Sequence, residues 1–422
     1  MRRNFIFHLH PARVTAHALN PTATFGLGLI TATLFAALGF SGVLLMIYYV
    51  PTTREALSST QDIQHAVTFG AFFRALHRWA AHAMVFTVFL HFLRVCLTGS
   101  YFRRELNWMI GLALFFTTLG LAFTGYLLPW DQLSFWAVRV GTNLADHIPL
   151  IGGFLKKLLL GGDQVGQAAL IRFYTLHVAL LPSLMLGLII FHIWRVRKDG
   201  GLARETKDET DPVTIPAWPH LLLREAILIM CVLTVLVLAA SFISAPLGGA
   251  PDIHSPSNPE KTPWYFLWLQ EMVSYSAPLG GFVFPGILVA GLLLLPFLER
   301  EQNGVGSWFG GPRGRLIVAF SFVIAIAFFI LFEWLFHITA IQSWIAGGPT
   351  WLGDFFNPAT GMLLLAVAVS ITSKIISKST RNAVLACTMV VLVAIVCFTL
   401  MAWCRGPGWV FYWPWEEWPN AS

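Results

Sequence analysis

The sequence is poor in charged side chains, since Asp, Glu, Lys and Arg make up only 11% of its 422 residues. A soluble globular protein carries about 25%, so the composition excludes an ordinary soluble domain. Hydrophobic residues reach 56% and the mean hydropathy is +0.69, which is typical of a chain that crosses a membrane several times. The net charge of +6 follows the membrane topology and does not indicate nucleic-acid binding.

Cysteine is also scarce, with five residues that form no CxxC or CxxCH motif. This excludes a disulfide framework, an iron–sulfur cluster held by this chain and a covalently attached c-type haem. The stretch from Met1 to Pro21 is basic but contains no apolar run. We therefore expect no cleaved signal peptide.

Nine apolar runs are long enough to cross a bilayer. They predict an all-α polytopic membrane protein, in which a four-helix bundle is followed by a second bundle of three to five transmembrane helices. Two thirds of the 27 Lys and Arg residues fall on one side if the N-terminus is cytoplasmic, as the positive-inside rule requires. The runs are residues 25–49, 76–98, 107–128, 174–195, 219–244, 278–298, 314–337, 359–377 and 382–403.

A polar, proline-containing segment at 199–218 predicts a cytoplasmic linker between an N-terminal four-helix domain, 1–198, and the second half. Residues 338–422 add two helices and an external aromatic tail, Trp409–Trp418, which is typical of an interfacial anchor. Binding of a partner subunit is the alternative for this tail. Two predicted external segments, 129–173 and 245–277, are longer than a connection needs, which indicates a function.

Four histidines lie in two of the apolar runs: His77 and His91 are fourteen residues apart, and His177 and His192 are fifteen apart. Fourteen helical residues rise about 21 Å and make nearly four turns, so each helix presents two imidazoles at two depths. One antiparallel helix separates the two runs, so His77 pairs with His177 and His91 with His192. Polar groups at such depth are usually functional. We expect two haems with bis-histidine ligation, which leaves no open iron position and suits electron transfer.

Glycines repeat the same interval on the other two helices of the bundle. Gly28 and Gly42 are fourteen residues apart, as are Gly111 and Gly125, and a flat porphyrin against a helix needs a missing side chain. The alternatives are ordinary hydrogen-bonded histidines and close helix packing through small residues. Haem propionates need cationic partners, and the nearby candidates are Arg74, Arg78 and Arg94.

Four stretches of the first half resemble cytochrome b of the bc and bf quinol oxidoreductases. The region 216–300 resembles the separate small subunit of the bf complex, so the small-subunit-like domain is expected at 219–337. The resemblance covers about residues 20–335, and Gly26 stands where the bf cytochrome has a cysteine for an extra covalent haem. The matching stretches are HRWAAHAMVFTVFLHFLRV (77–95), GYLLPWDQLSFWAV (125–138), RFYTLHVALLP (172–182) and FHIWRVRK (191–198).

The resemblance implies an outer quinol-oxidising site and an inner quinone site. The family's second outer motif is PEWY, and here Pro263 stands where its glutamate is expected. The nearby acids Asp131, Glu260 and Glu271 are the candidate proton acceptors, and menaquinone is the expected quinone. For Glu260 the alternative is an ordinary solvated loop charge. The other outer-site residues implied are Pro129, Trp130, Gln132, Trp264 and Tyr265, and those of the inner site are Arg197 and His220, with Glu225 nearby.

The function implied is bifurcated quinol oxidation, with electron transfer through two non-covalent b-type haems to the inner quinone site and coupled proton translocation. The partners implied are a Rieske iron–sulfur protein, a c-type cytochrome subunit and a second copy of the complex in a bacterial inner membrane. Two other functions stay open: a dihaem, quinone-reactive anchor of a dehydrogenase, and a transporter with histidine proton relays.

Overall fold

The structure is a computed structural model that describes residues 12–203, 213–338 and 348–418. Three of the sequence predictions therefore fall partly outside the described residues. These are the absence of a leader in Met1 to Pro21, the linker at 199–218, and the additional segment at 338–422.

Nine helices within the described residues are long and apolar enough to cross a membrane, which confirms the nine predicted spans and the all-α fold. Their interiors contain long runs of Leu, Ile, Val, Phe and Ala, as a helix surrounded by lipid requires. They are α1 (Leu27–Met46), α2 (Gly70–Thr98), α3 (Glu105–Leu127), α4 (Gln167–Lys198), α5 (Ala217–Phe242), α6 (Leu279–Leu298), α7 (Pro312–Ile338), α8 (Pro358–Ser377) and α9 (Thr380–Trp403).

Short elements lie between the long helices. Two three-residue strands, Arg13–Thr15 and Thr214–Pro216, pair antiparallel with Val14 opposite Ile215. Within the described residues, the short α-helices are Pro21–Thr24, Ala56–His65, Gln132–Leu144, Gly152–Leu160, Leu267–Tyr275 and Thr350–Phe355. Three of them occupy the two long segments that the sequence marks as functional.

The chain forms two compact units that interleave along the sequence. The first contains residues 1–130, 170–247 and 302–308, and so holds α1, α2, α3, nearly all of α4, and α5. Its core includes Leu34 of α1, Leu76 and Met84 of α2, Met185 of α4 and Leu236 of α5. The haem domain proposed from the sequence is consecutive in the chain, whereas this unit also takes in α5.

The second unit contains residues 131–169, 248–301 and 309–422, and so holds the helices α6 to α9. Helices α8 and α9 form a hairpin that turns at Lys378, whose backbone is left-handed with φ 52°. At the start of α9, Arg381 forms a buried ion pair with Glu299 after the end of α6. The additional C-terminal helices are therefore part of the packed core of this unit.

Candidate metal centres and loop site

The four histidines meet as two pairs inside the first unit. The ring centroids of His77 and His177 are 6.2 Å apart, with the planes at 74°. Those of His91 and His192 are 6.4 Å apart, with the planes at 80°. This is the pairing expected from two helices that run in the same direction.

The separation within each pair suits a metal ion held between the two rings. Imidazole nitrogens about 2.0 Å from a metal on opposite sides put the ring centroids about 6 Å apart. No group of three or more His, Cys, Asp or Glu side chains that could hold a metal occurs in the described part of the chain. Each pair would therefore supply two ligands to an iron ion whose remaining ligands come from a planar macrocycle such as haem.

Hydrogen bonds orient the His177 ring for ligation. Its Nδ1 lies 3.1 Å from the carbonyl oxygen of Leu121 and 3.3 Å from Thr124 Oγ1. A carbonyl only accepts, so Nδ1 carries the proton and donates, which leaves Nε2 unprotonated and able to bind a metal ion. Such a bond from the second ring nitrogen is the usual support of a metal-bound histidine.

Ser41 plays the same part for His77. Its hydroxyl donates to the Ala37 carbonyl oxygen at 2.8 Å, and its oxygen lies 3.0 Å from His77 Nδ1. Because the hydroxyl proton is used on the carbonyl, the Ser41 oxygen accepts from His77 Nδ1–H. The Nε2 atom of His77 is thereby also left unprotonated and able to bind a metal ion.

The structure also explains why the second histidine interval is fifteen residues instead of fourteen. Residues Leu176–Leu180 of α4 form a π-turn, and His177 lies in it. A π-turn accommodates one additional residue in the helix. The fifteen-residue interval therefore presents His177 and His192 on one face, as fourteen α-helical residues do for His77 and His91.

Each of the four glycines on α1 and α3 lies against one histidine ring. A Cβ atom on Gly42 would lie 3.2 Å from His77 Cε1, and one on Gly125 would lie 2.4 Å from His177 Cε1. The corresponding distances are 3.7 Å from Gly28 to His91 and 3.6 Å from Gly111 to His192. The glycines thus give room to the ligand rings themselves, and the space is tighter at the His77–His177 pair.

The three arginines differ in their surroundings. Arg74 is buried and donates to the Gln64 side chain and to the carbonyls of Ala245 and Pro246. Arg94 is buried and donates from Nε to the Ala23 carbonyl. The Nε atom of Arg78 is buried without a hydrogen-bond partner among the described residues. A guanidinium in this position is suited to bind an anionic group such as a propionate.

Comparison with known proteins agrees with this geometry. Residues 82–251 match the family model described as "Cytochrome b(N-terminal)/b6/petB". The chain is 44% identical over 192 residues to cytochrome b6 of Heliobacterium mobile, which covers 45% of this chain and 88% of the relative. It is 45% identical over 175 residues to cytochrome b6 of Chlamydomonas reinhardtii, covering 41% of this chain and 81% of the relative. The chain belongs to the bc/b6f-type cytochrome b family.

The likeness in fold extends over nearly the whole chain. A chain of a structure titled "Hyperthermophilic respiratory Complex III" superposes with a TM-score of 0.66 and 23% sequence identity, covering 94% of each chain. At this identity the match concerns the fold alone. Because members of the family carry b-type haems, this cytochrome b is an electron-transport subunit of a bc/b6f-like membrane complex, and the histidine pairs are its candidate haem ligands.

In the second unit, Asp131 of the sequence PWDQ, residues 129–132, organises the loop that follows it. Asp131 is buried and accepts from the backbone N–H of Ser134 through Oδ1, which caps the helix Gln132–Leu144. Its Oδ2 accepts from the backbone N–H of Gly248 at 2.8 Å. Gln132 adds bonds to Asp252 and Ser255. Both carboxylate oxygens of Asp131 are therefore used to hold the backbone.

Glu260 is placed differently. It is half-buried, and its Oε2 accepts from the Ser257 backbone N–H at 3.0 Å. Its Oε1 is buried with no hydrogen-bond partner in the described part of the chain. Burial raises the pKa of this carboxyl, and the negative charge of Asp131 raises it further, while the bonds from Ser257 lower it. A carboxylate with one free oxygen and a raised pKa is suited to accept a proton.

Glu271 lies in a buried ion pair. It is fully buried in the helix Leu267–Tyr275 and is paired with Arg405, which follows α9. The Tyr275 hydroxyl oxygen lies 2.9 Å from Glu271 and 2.7 Å from Glu333, and the Trp409 indole donates to Glu271 at 3.2 Å. The carboxylate of Glu271 is therefore paired with a guanidinium and is buried away from solvent.

The remaining outer-site candidates are aromatic residues and prolines. Trp264 and Tyr265 are half-buried neighbours of Pro263, with ring centroids 5.4 Å apart. In the first unit, Pro129 precedes Trp130, which is buried and has a left-handed backbone with φ 52°. This conformation is uncommon for a bulky residue and tends to mark functional positions.

The inner-site candidates lie at the ends of two helices of the first unit. Arg197 is half-buried in the last turn of α4, and His220 is exposed in the first turns of α5. Glu225 is half-buried one to two turns further along α5. These positions place basic and acidic groups near the end of α4 and the start of α5.

Sequence reasoning missed Arg405 and Trp409. Both lie beyond the region of family resemblance, and we interpreted the aromatic tail as an interfacial anchor. One signal was present, since Arg405 is the only Lys or Arg after Arg381. A lone arginine directly after an apolar helix indicates a specific partner.

Proposed function

We propose that this chain is the catalytic cytochrome b subunit of a quinol:cytochrome c oxidoreductase. In this proposal quinol is oxidised in a bifurcated reaction near the outer face, quinone is reduced near the inner face, and the two reactions are coupled to proton translocation. One observation carries the proposal: the four histidines face each other as two pairs, which lie at two depths of one helix bundle. Two depths are what charge separation across a membrane requires.

The four histidines would hold two non-covalent b-type haems, with His77 and His177 nearer the outer side and His91 and His192 nearer the inner side. Bound there, the haems would supply one-electron carriers with no open iron position. The protein's own contribution is to orient the ligands: Ser41 and the Leu121 carbonyl select the ligand nitrogen, and the four glycines give the rings room. Arg78 would neutralise a propionate.

The loop of the second unit supplies the proton chemistry at the outer site. We assign proton acceptance to Glu260, because its free buried oxygen and raised pKa favour it over the two other acids. Asp131 holds the loop backbone, and Glu271 holds Arg405. Tyr265 and Trp264 offer aromatic surface to a quinol ring. This assignment explains how the chain works without the PEWY glutamate.

We further propose a low-potential quinone such as menaquinone, which is supported by the departure from the PEWY motif. The inner quinone site would use Arg197 and His220 to bind the quinone headgroup. The complex would contain a Rieske iron–sulfur protein and a c-type cytochrome, would be dimeric, and would lie in a bacterial inner membrane with the N-terminus cytoplasmic.

The experiment that tests this proposal is purification of the intact complex from its native membranes through a tag on this chain. We expect a b-type band in the reduced-minus-oxidised spectrum, a Rieske signal by electron paramagnetic resonance, and faster cytochrome c reduction with a naphthoquinol than with a benzoquinol. A molybdenum or nickel–iron partner in place of the Rieske protein would favour the dehydrogenase anchor. The lack of a b-type band would overturn the haem assignment and favour a transporter.

A further inference from the structure

The segment that follows α9, residues 403–418, binds the loop that carries Glu260. We call residues 403–418 the tail and residues 256–271 the acceptor loop. Both belong to the second unit. The tail lies beyond the region in which the sequence resembles known cytochromes b, so the resemblance assigns it no role.

The first contact is the ion pair between Arg405 and Glu271. The Nε atom of Arg405 lies 3.0 Å and 3.3 Å from the two carboxylate oxygens, and Nη2 also donates to Oε1. Arg405 is 4% exposed and Glu271 is 0% exposed. A planar guanidinium that donates twice to one carboxylate fixes both distance and direction. This contact anchors the end of the acceptor loop.

Two further contacts anchor the loop on either side of Glu260. The Gly408 backbone N–H donates to Asn258 Oδ1 at 2.7 Å. Lys261 donates from Nζ to the Trp403 carbonyl at 2.6 Å, and its ammonium group lies 5.2 Å from the Trp418 ring centroid. The tail therefore holds the residues two before and one after Glu260.

The tail has a defined backbone conformation, which it needs in order to hold the acceptor loop in place. Arg405 and Phe411 form an antiparallel bridge, and the backbone N–H of Tyr412 donates to the Cys404 carbonyl. Gly406 is needed at this turn, because a Cβ atom there would lie 2.4 Å from the Tyr412 ring. Residues 404–412 thus form a tight turn and not a loose end.

We propose that the tail is a clamp on the acceptor loop, and that Arg405 is a positioning residue which holds Glu260 in its half-buried place through Glu271 and the loop backbone. This inference deepens the proposed function and rests on it for the role of Glu260. The clamp itself follows from the contacts alone. It gives the aromatic tail a role at the quinol-oxidising site.

The test compares Arg405→Gln with Arg381→Gln in the intact, membrane-assembled complex. Both arginines form buried ion pairs with a glutamate, one after the end of α9 and one at its start, but Arg381 pairs with Glu299 away from the acceptor loop. Hydrogen exchange of residues 256–266 and quinol oxidation against pH are measured for each. The exchange measurement needs no quinol turnover, so it tests the clamp even where the wild-type chain oxidises no quinol.

We expect Arg405→Gln to accelerate exchange in the acceptor loop and to lower kcat/KM by about 100-fold, as a misplacement of about 1 Å at a catalytic group does. The acid limb of its pH profile should move to lower pH, because a solvated Glu260 loses the burial that raises its pKa. The neighbouring charged groups, Asp131 and Lys261, are unchanged in the variant. Arg381→Gln should change neither loop exchange nor the pH limb. Arg405→Lys should restore part of the activity.

Asn258→Ala serves as a milder second variant, since it deletes only the bond from Gly408 and lies at the surface. It should accelerate loop exchange in the same direction with a smaller loss of activity, even if Arg405→Gln fails to assemble. Unchanged loop exchange in Asn258→Ala, or equal behaviour of the Arg405 and Arg381 variants, would overturn the clamp.

Discussion

Gly125→Ala is expected to remove the haem at the His77–His177 pair while leaving the other haem in place. A Cβ atom on Gly125 would lie 2.4 Å from Cε1 of His177 and 3.0 Å from both ring nitrogens. The ring cannot retreat, because its Nδ1 is bonded to the Leu121 carbonyl and its other side faces His77. The added methyl group therefore displaces a metal ligand.

The effect is not one of backbone stability. Alanine favours a helix over glycine by roughly 0.5–1 kcal/mol, so the substitution should stiffen α3. Any loss of haem then reports the collision with the ligand ring.

The matched control is Gly111→Ala, at the corresponding place beside His192. There the added Cβ would lie 3.6 Å from the ring, which is ordinary contact, so both haems should remain. The haem-to-protein ratio and the reduced-minus-oxidised spectrum of the purified complexes measure the outcome. Retention of both haems in Gly125→Ala, or equal loss in both variants, would refute the tight fit at His177.

Glu260→Gln is expected to slow quinol oxidation by about 10²- to 10⁴-fold, the usual contribution of a general base. Glutamine keeps the shape and can still accept from the Ser257 backbone N–H, but it cannot take a proton. The wild-type rate should fall as pH drops through the raised pKa of Glu260, because the acceptor must be deprotonated. The variant should lose this acid limb.

Asp252→Asn is the control for this prediction. Its Oδ1 atom accepts from the His254 backbone N–H in the same region of the chain, and its side chain is exposed. An asparagine oxygen keeps that bond, so the rate and the pH profile should match those of the wild type. Steady-state oxidation of a short-chain naphthoquinol between acid and neutral pH measures both variants. If the acid limb persisted in Glu260→Gln, another group would be the acceptor.

Much of the bundle could be predicted from the sequence because it depends on helix geometry. The interval between His77 and His91 follows from 3.6 residues per turn, and the pairing follows from the alternating direction of successive spans. The π-turn at His177 could not be predicted, because its hydrogen-bond pattern depends on local packing. Only the structure shows why an interval of fifteen residues on α4 places two histidines on one face, as an interval of fourteen does on α2.

The loop acids illustrate the opposite case. Asp131, Glu260 and Glu271 were equivalent candidates in the sequence, since each is an acid near a family motif. What distinguishes the three acids is their hydrogen-bond and ion-pair partners, which lie far from them in the sequence. Gly248 occupies one oxygen of Asp131, and Arg405 occupies Glu271.

The sequence by itself determined that this protein is a polytopic helical membrane protein with four histidines paired across its first half, because hydropathy and helical period are local properties of the chain. Only the tertiary structure shows which of the three loop carboxyls keeps an oxygen without a hydrogen-bond partner among the described residues, and which loop the C-terminal tail contacts. Those answers depend on burial and on contacts between residues more than a hundred positions apart, such as Glu271 and Arg405. No local pattern encodes such contacts.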